Sequence, residues 1–175
     1  MISIMSAWIH LFDGAPTREF PKGTALFRAA DPVRSMYLLR SGMIALERPM
    51  ADGTSLTLHL ASAGSAVAEA SLFADRYHCD AVARVDSEVA VLPKPVFLRD
   101  LERQPRAALS LIETHAREVQ AQRARVEVLR MRRVADRLDA WITLHGEPAQ
   151  GDWSTVAHQI GVSPAALYRE RAKRR

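Results

Sequence analysis

The sequence predicts an α+β chain in which an antiparallel β-roll comes first, a long helix follows and a helix-turn-helix unit comes last. Glycines punctuate the first part at a constant spacing, at Gly42, Gly53 and Gly64, which is typical of short strands and tight turns in a jelly-roll-like sheet. No glycine or proline interrupts residues 106–145, so helices can form there. Near the end of the chain, Gly161 separates two short apolar segments.

Short apolar segments account for the predicted roll, residues 1–104. Apolar and polar side chains alternate most clearly at Leu56, Leu58 and Leu60, with the two-residue period of a half-buried strand. Turn-forming Gly, Pro and Asp residues separate the segments, and no helix of ordinary length fits between them. We therefore expect an all-β domain with strands in TALFRA, SMYLLRSGMIALER, TSLTLHLA and DAVARVDSEVAVL.

A narrow apolar stripe marks the predicted long helix, residues 105–130. A narrow stripe on a helix that leaves a β domain favours contact with a second copy of the chain, which predicts a homodimer. A helix that covers its own sheet is the alternative. A change of face near residues 129–132 predicts a bend followed by a further helix. The predicted dimer seam consists of Leu109, Ile112, Ala116, Val119 and Val126.

The sharpest motif lies within residues 131–175, in the segment DWSTVAHQIGVSPAALYRERAKRR. Ala157, four residues before Gly161, provides the small side chain and the tight turn that two closely crossing helices require. Ser163 is a predicted N-cap, and Pro164 is the first residue of the second helix. The basic side chains that follow suit a helix lying along DNA phosphates, with a helix pair that only packs as the alternative. The predicted DNA-contacting residues are Thr155, Ser163, Ala165, Tyr168, Arg169, Arg171 and Lys173.

Composition and charge restrict the class of protein. A single cysteine in 175 residues excludes an internal disulfide framework, the first twelve residues contain no Lys or Arg for a signal peptide, and no apolar run reaches the ~18 residues of a membrane span. We therefore expect a soluble, cytoplasmic protein without a membrane partner. Residues 1–105 carry 11 basic and 12 acidic side chains, whereas residues 106–175 carry 13 and 8. The basic second part suggests a nucleic-acid partner, although a solvated helix face has a similar composition.

The glycine-punctuated roll, the loop AEASLF, the long amphipathic helix and the helix-turn-helix together resemble the Crp/Fnr family of bacterial transcription regulators. The resemblance extends from about Phe20 to Lys173, and YHCDAVA and GVSPAALYRE look like segments of a divergent subgroup. It implies a cyclic-nucleotide-binding-type roll as sensor, a parallel dimer seam, and a helix-turn-helix of winged type that reads a palindromic operator in double-stranded DNA. The sequence stops where the family continues into its two-stranded wing, so the wing is expected to be missing.

The resemblance also gives an expectation for the effector. In members that bind cyclic nucleotides, a Gly-Glu pair opens the cassette, the Glu takes the ribose hydroxyl, and a later Arg pairs with the cyclic phosphate. Here Ala68 stands in the glycine position, Glu69 is kept, and Cys79 takes the arginine position with Asp80 beside it. Because a desolvated phosphate without a charged partner is costly, binding of cyclic AMP or cyclic GMP is not expected unless Arg76 folds inward. The predicted effector pocket consists of Glu69, Ala70, Ser71, Leu72, Cys79 and Asp80.

The effector itself is left open between a small molecule and a redox signal. We expect a pocket that is collapsed around Leu72 and Phe73 or shaped for a neutral or cationic effector. His78 and Cys79 should point to opposite faces of a regular strand, which leaves the thiol either a packing group or a redox-active one. One cysteine per chain cannot supply the four thiolates of an iron–sulfur cluster, while a haem or metal bound through His78 is a remaining alternative. No cofactor and no metal are included in the prediction.

Catalysis is not expected, because no glycine-rich phosphate loop, metal-spaced His/Glu set or nucleophile elbow occurs in the sequence. The alternative to a DNA-binding regulator is a binding module that acts through protein contacts. Glu170 and Arg171 favour this alternative, since they stand where recognition helices of the family bury an aliphatic side chain.

Overall fold

The computed structural model describes residues 4–50, 55–67, 69–148 and 153–174. Gly53 and Ala68, to which the sequence analysis assigned a turn and the glycine position of the cassette, lie outside the described residues. The chain divides into two compact units, Met1–Glu113 and Thr114–Arg175.

Antiparallel strands form the two sheets of the first unit. In chain order they are β1 (Thr17–Phe20), β2 (Ala25–Phe27), β3 (Ser35–Ser41), β4 (Met43–Pro49), β5 (Ser55–Ser62), β6 (Ala66–Val67), β7 (Asp80–Ala83) and β8 (Ser87–Pro93). They form two four-stranded sheets with the orders β1-β8-β3-β6 and β2-β7-β4-β5. An antiparallel β core with helices confirms the predicted α+β class.

The sheet β1-β8-β3-β6 is covered on both faces, which explains the continuous apolar run in β3. Leu39 belongs to a core that both sheets share, while its neighbour Leu38 belongs to a second core with Trp8 and Phe97. The buried members of the shared core are Phe27, Val33, Leu39, Ile44, Leu46, Ala61, Val67, Tyr77, Cys79, Ala81, Ala83 and Val89.

The prediction that the first hundred residues are all-β is wrong in two places. A 3-10 helix spans Ile4–Phe12, and an α-helix, α1, spans Lys94–Arg103. Pro95 stands in the first turn of α1, where its missing N–H has no intrahelical partner to lose, so the proline begins the helix instead of preventing it. Both helices contribute to the second core, which needs apolar side chains from outside the sheets.

The predicted alternation in β5 is also only partly correct. Leu58 packs against the shared core, but Leu56 and Leu60 are exposed. Leu56 and Leu60 are exposed because β5 lies at the edge of its sheet, and because a β-bulge opposite Leu46 and Glu47 interrupts the alternation of its faces.

The turn at Gly42 between β3 and β4 requires glycine. Its φ is +94°, and a Cβ there would lie 2.7 Å from the carbonyl oxygen of Asp86. A side chain would therefore meet both backbone strain and a steric clash.

Helices make up the second unit. They are α2 (Pro105–Arg130), which begins before the unit boundary, α3 (Val134–His145), α4 (Trp153–Gln159) and α5 (Pro164–Ala172). The bend predicted near residues 129–132 lies between α2 and α3. One buried cluster holds the unit together, and its members are Val128, Leu138, Val156, Ala157, Ile160 and Leu167.

Candidate functional site

The predicted effector cassette begins in a short 3-10 turn, Glu69–Ser71, in the first unit. Ser71 and Leu72 are buried, and Leu72 belongs to the second core. Phe73 is 87% exposed, so a pocket collapsed around both Leu72 and Phe73 is not what the structure has. The N–H of Leu72 donates to the carbonyl of Glu69 at 3.0 Å, and this turn directs Leu72 inward while the next residue faces solvent.

Cys79 and His78 lie on opposite sides of the backbone, as their adjacency predicts. Cys79 is 2% exposed and belongs to the shared core, whereas His78 is exposed, with its Nδ1 3.1 Å from the Oγ of Ser71. Burial raises the pKa of the Cys79 thiol; Arg48 partly opposes this, and the carboxylates of Asp80 and Glu69 raise it further. A protonated, buried thiol is a poor nucleophile and a poor redox centre, which favours the packing role.

Asp80 is a structural anchor. Its carboxylate accepts a hydrogen bond from the backbone N–H of Ala29 at 2.7 Å and one from the guanidinium of Arg28 at 2.9 Å. The neighbouring strand presents a second buried carboxylate directly opposite, because Glu47 is the register partner of Asp80. Like charges in that position repel, and each is matched by its own arginine, Arg28 for Asp80 and Arg84 for Glu47. The negative charge of Asp80 is therefore already balanced within the protein.

Arg48 is a cation near the cassette that the sequence analysis missed. Arg48 directly follows Glu47, the last β4 residue in the ladder with β7, and it lies near enough to Cys79 to oppose the rise in the pKa of the thiol. Contacts between strands that are distant in sequence carry no local sequence signal, so the sequence did not predict that Arg48 lies near Cys79. Arg76, the other candidate cation, donates to the carbonyl of Ala30 at 2.6 Å and is exposed.

The structure thus brings part of the predicted pocket together. Glu69, Cys79 and Asp80 lie near enough for the two carboxylates to raise the pKa of the thiol, while Ala70 is exposed. A cavity of about 310 Å³ occurs elsewhere in the unit and shares no residue with the cassette. It is lined by Glu19, Phe20, Pro21, Ser41, Asp86, Ser87 and Glu88.

The predicted dimer seam on α2 is exposed along its whole length. Ile112 and Val119 are 62% and 48% exposed, and Leu109, Ala116 and Val126 are exposed as well. Other side chains of α2 are buried: Ala107 and Leu111 belong to the second core, and Val128 belongs to the buried cluster of the second unit.

In the second unit, α4 and α5 are joined by the turn that the sequence predicts. Gly161 has φ +67°, and a Cβ there would lie 2.7 Å from the Cδ2 of Leu129. The Oγ of Ser163 accepts from the N–H of Ala166 at 3.2 Å, which caps α5. Ala157 is buried where the two helices meet.

The predicted DNA-contacting side chains divide into exposed and engaged groups. Arg171 is engaged, because its guanidinium carbon lies 3.5 Å from the centroid of the Trp153 ring. Lys173 lies 3.6 Å from a carboxylate oxygen of Glu170, and this pair is weak because the lysine side chain is exposed to solvent. The remaining predicted residues are exposed, and they are Thr155, Ser163, Ala165, Tyr168 and Arg169.

Among the described residues, no group of three or more His, Cys, Asp or Glu side chains is arranged to hold a metal ion. None of the helices in those residues is both long and apolar enough to cross a membrane.

Known proteins are similar to this chain over part or nearly all of its length. The model of the cyclic nucleotide-binding domain matches residues 17–104. The anaerobic regulatory protein of Bacillus subtilis (strain 168) is 30% identical over 109 residues, which are 59% of this chain and 46% of that protein. The chain therefore spans about half the length of this relative.

Several solved structures share the fold at low sequence identity. The c-di-GMP responsive global regulator CLP of Xanthomonas campestris aligns with a TM-score of 0.68 and 20% identity, over 95% of this chain and 89% of that one. FixK2 from Bradyrhizobium japonicum aligns with a TM-score of 0.69 and 13% identity, over 91% and 83%. The catabolite activator protein of Thermus thermophilus aligns with a TM-score of 0.57 and 22% identity, over 95% and 81%.

Proposed function

The chain belongs to the cyclic nucleotide-binding domain family through residues 17–104, and we propose that it is a DNA-binding transcriptional regulator of Crp/Fnr type. The names of the similar proteins support the proposal, since they include an anaerobic regulatory protein, a global regulator and a catabolite activator protein. The role proposed is non-enzymatic and cytoplasmic, with double-stranded DNA as partner.

The exposed face of α5 is the observation that carries DNA binding. Leu167 is buried on one side of the helix, while Ala165, Tyr168 and Arg169 are exposed on the other. A helix held by a tight turn, with its outer face uncovered, has the form of a recognition helix that enters the major groove. Arg169 is the candidate for base contact, because a guanidinium can donate to both O6 and N7 of guanine.

A homodimer is the second part of the proposal. The five exposed apolar residues of the dimer seam lie on one stripe of α2. A stripe of this kind gains stability when a second copy covers it, because burial of apolar surface contributes about 25 cal/mol per Å². Two-fold symmetry would then place two α5 helices on a palindromic operator, about 34 Å apart.

The effector is proposed to be recognised without the arginine that the family uses for a cyclic phosphate. Cys79 stands in that position, and its side chain is part of the core. Asp80, the next residue, is already bound to Arg28 and Ala29. The protein is therefore not expected to depend on cyclic nucleotides, and its small-molecule or redox effector is unidentified.

A module that acts through protein contacts is the second candidate, and the internal pairing of the basic side chains favours it. The Oε1 of Glu170 lies 3.5 Å from the Nε of Arg174, and its Oε2 lies 3.6 Å from the Nζ of Lys173, while Arg174 also binds Asp139. These contacts reduce the positive charge that α5 can offer to DNA.

Selection of genomic fragments by the intact protein at low salt separates the two candidates. A regulator should retain a limited set of duplexes that share a palindrome. The Arg169→Ala variant should retain them with relaxed preference at one position per half-site, worth about 1–3 kcal/mol. Failure of the dimer to retain any duplex would refute DNA binding and favour the protein-contact module.

A further inference from the structure

The basic side chains of the second unit fall into two groups according to their partners. Some have structural roles. Arg137 donates to the carbonyl oxygens of Met131 and Ile160, at 2.8 and 3.0 Å. Arg171 lies over Trp153, and Arg174 forms a bidentate pair with Asp139. An arginine with these partners would have to give them up in order to bind a phosphate.

Three other arginines are concentrated at the junction of α2 and α3, where Arg130 ends α2 and the other two precede α3. Arg130, Arg132 and Arg133 are all exposed. Within the part of the chain that the structure describes, none of them has a hydrogen-bond or ion-pair partner through its side chain. Arg133 occupies the N-cap position of α3 and makes no side-chain capping bond. Three unpaired cations among four consecutive residues repel one another, and a polyanion would relieve that repulsion.

This segment lies directly beside the turn that precedes α5. The guanidinium of Arg137 bridges the junction and the turn. It donates to the carbonyl oxygen of Met131 in the junction, and to those of Ile160 and Gly161 in the turn at 3.0 and 3.3 Å. Leu129, two residues before Met131 in the chain, also contacts the turn, because its Cδ2 would lie 2.7 Å from a Cβ at Gly161. The three arginines are therefore held next to the start of α5 by contacts within the same unit.

The position of these arginines beside α5 suits contact with the DNA backbone. A recognition helix presents its N-terminal residues to the bases of the major groove, and the phosphate backbones border that groove. Cations beside the start of the helix are then placed to contact phosphates, which fix the orientation of the protein without reading sequence. A basic segment far from α5 would more simply be a solvated surface with no role in DNA binding.

We propose that Arg130, Arg132 and Arg133 form a phosphate-binding cluster that anchors the DNA backbone beside α5. This inference rests on the proposed DNA-binding function. It assigns backbone contact to residues at the α2–α3 junction and leaves Arg171 with its contact to Trp153.

Binding to a labelled duplex of mixed sequence, measured by fluorescence anisotropy over a series of salt concentrations, tests the proposal. The double variant Arg132→Gln, Arg133→Gln should lower the steepness of log K against log salt by about 2 per half-site, because each neutralised phosphate contributes about 0.9. The double variant Arg132→Lys, Arg133→Lys keeps both charges and should keep the slope. A matched control, Arg103→Gln with Arg106→Gln, removes the same charge from exposed positions of the first unit and should also keep the slope.

The outcomes separate the inference from the function on which it rests. If the parent binds the duplex and the Arg132/Arg133 glutamine variant keeps the parental slope, or the control loses as much, the phosphate cluster is overturned and DNA binding stands. If the parent binds no duplex, both are overturned. Should the double variant not fold, the single Arg132→Gln and Arg133→Gln variants decide, each with an expected loss of about 0.9.

Discussion

Replacement of Asp80 by alanine should destabilise the first unit mainly because it removes the hydrogen bond from the backbone N–H of Ala29. The Asp80 carboxylate binds the backbone N–H of Ala29 at 2.7 Å and Arg28 at 2.9 Å. These bonds tie the chain after β2 to the first residue of β7, across a separation of about fifty residues. We expect Asp80→Ala to cost far more than Arg28→Ala, although both remove the same ion pair.

The magnitude follows from the exposure of the two partners. The Asp80 side chain is 12% exposed, and a hydrogen bond to a charged group of this kind contributes about 1.5–3 kcal/mol. The Arg28 side chain is 60% exposed, so solvent screening reduces its ion pair to about 0.2–1 kcal/mol. Removal of Asp80 also relieves repulsion from Glu47, its register partner. The expected loss in free energy of unfolding is therefore about 2–3 kcal/mol for Asp80→Ala and below about 1 kcal/mol for Arg28→Ala.

Urea unfolding followed by the fluorescence of Trp8 measures these values. Trp8 is buried in the first unit, and the other two tryptophans, Trp141 and Trp153, lie in the second. A parent with both replaced by Phe reports the first unit alone and serves as the control. The reasoning is refuted if Arg28→Ala costs as much as Asp80→Ala, or if Asp80→Ala changes the free energy of unfolding by less than about 0.5 kcal/mol.

Three further predictions concern the seam, the thiol and α5. Ile112→Glu with Val119→Glu should convert a dimer into a soluble monomer with a folded β-roll, as measured by sedimentation, because both side chains are exposed in the single chain. The Cys79 thiol, with its pKa raised above the ordinary 9.0, should be alkylated slowly, and Arg48→Ala should slow it further because the opposing cation is lost. Stability linked to this thiol is fully present below its ordinary pKa and falls as the pH rises above it, which thermal melting against pH measures. Arg169→Ala should alter base preference without lowering the melting temperature, since the side chain is exposed.

Each of these predictions has a control or a result that would contradict it. Ala121→Glu adds a negative charge at an exposed position on the face of α2 opposite Ile112, and it should leave the dimer intact. Rapid alkylation of Cys79 in folded protein, at the rate seen in urea, would contradict its burial. Arg171→Ala should lower the melting temperature instead of changing base preference, because it removes the contact with Trp153.

Local signals in the sequence determined a substantial part of the structure. Ser163 caps α5 and Gly161 adopts a positive φ, as their residue types predict. Gly42 forms the turn between β3 and β4 for the same reason, that only glycine fits there. These predictions succeed because the physical cause lies within a few residues of the effect. The helix at Lys94–Arg103 was missed because a proline near its start has the same local appearance as a proline that prevents a helix.

Only the tertiary structure decided which charged and apolar side chains have partners. The sequence shows the arginines of the second unit as one basic population, whereas the fold engages Arg171 with Trp153 and leaves Arg132 exposed. It shows Asp80 as an unpaired charge beside a cysteine, whereas the fold supplies Arg28 from a distant strand end. An ion pair or a core contact forms between residues far apart in the chain, and neither member carries a local mark of the other. Residue type and spacing therefore set the elements, while the packing of those elements sets which side chains remain available for function.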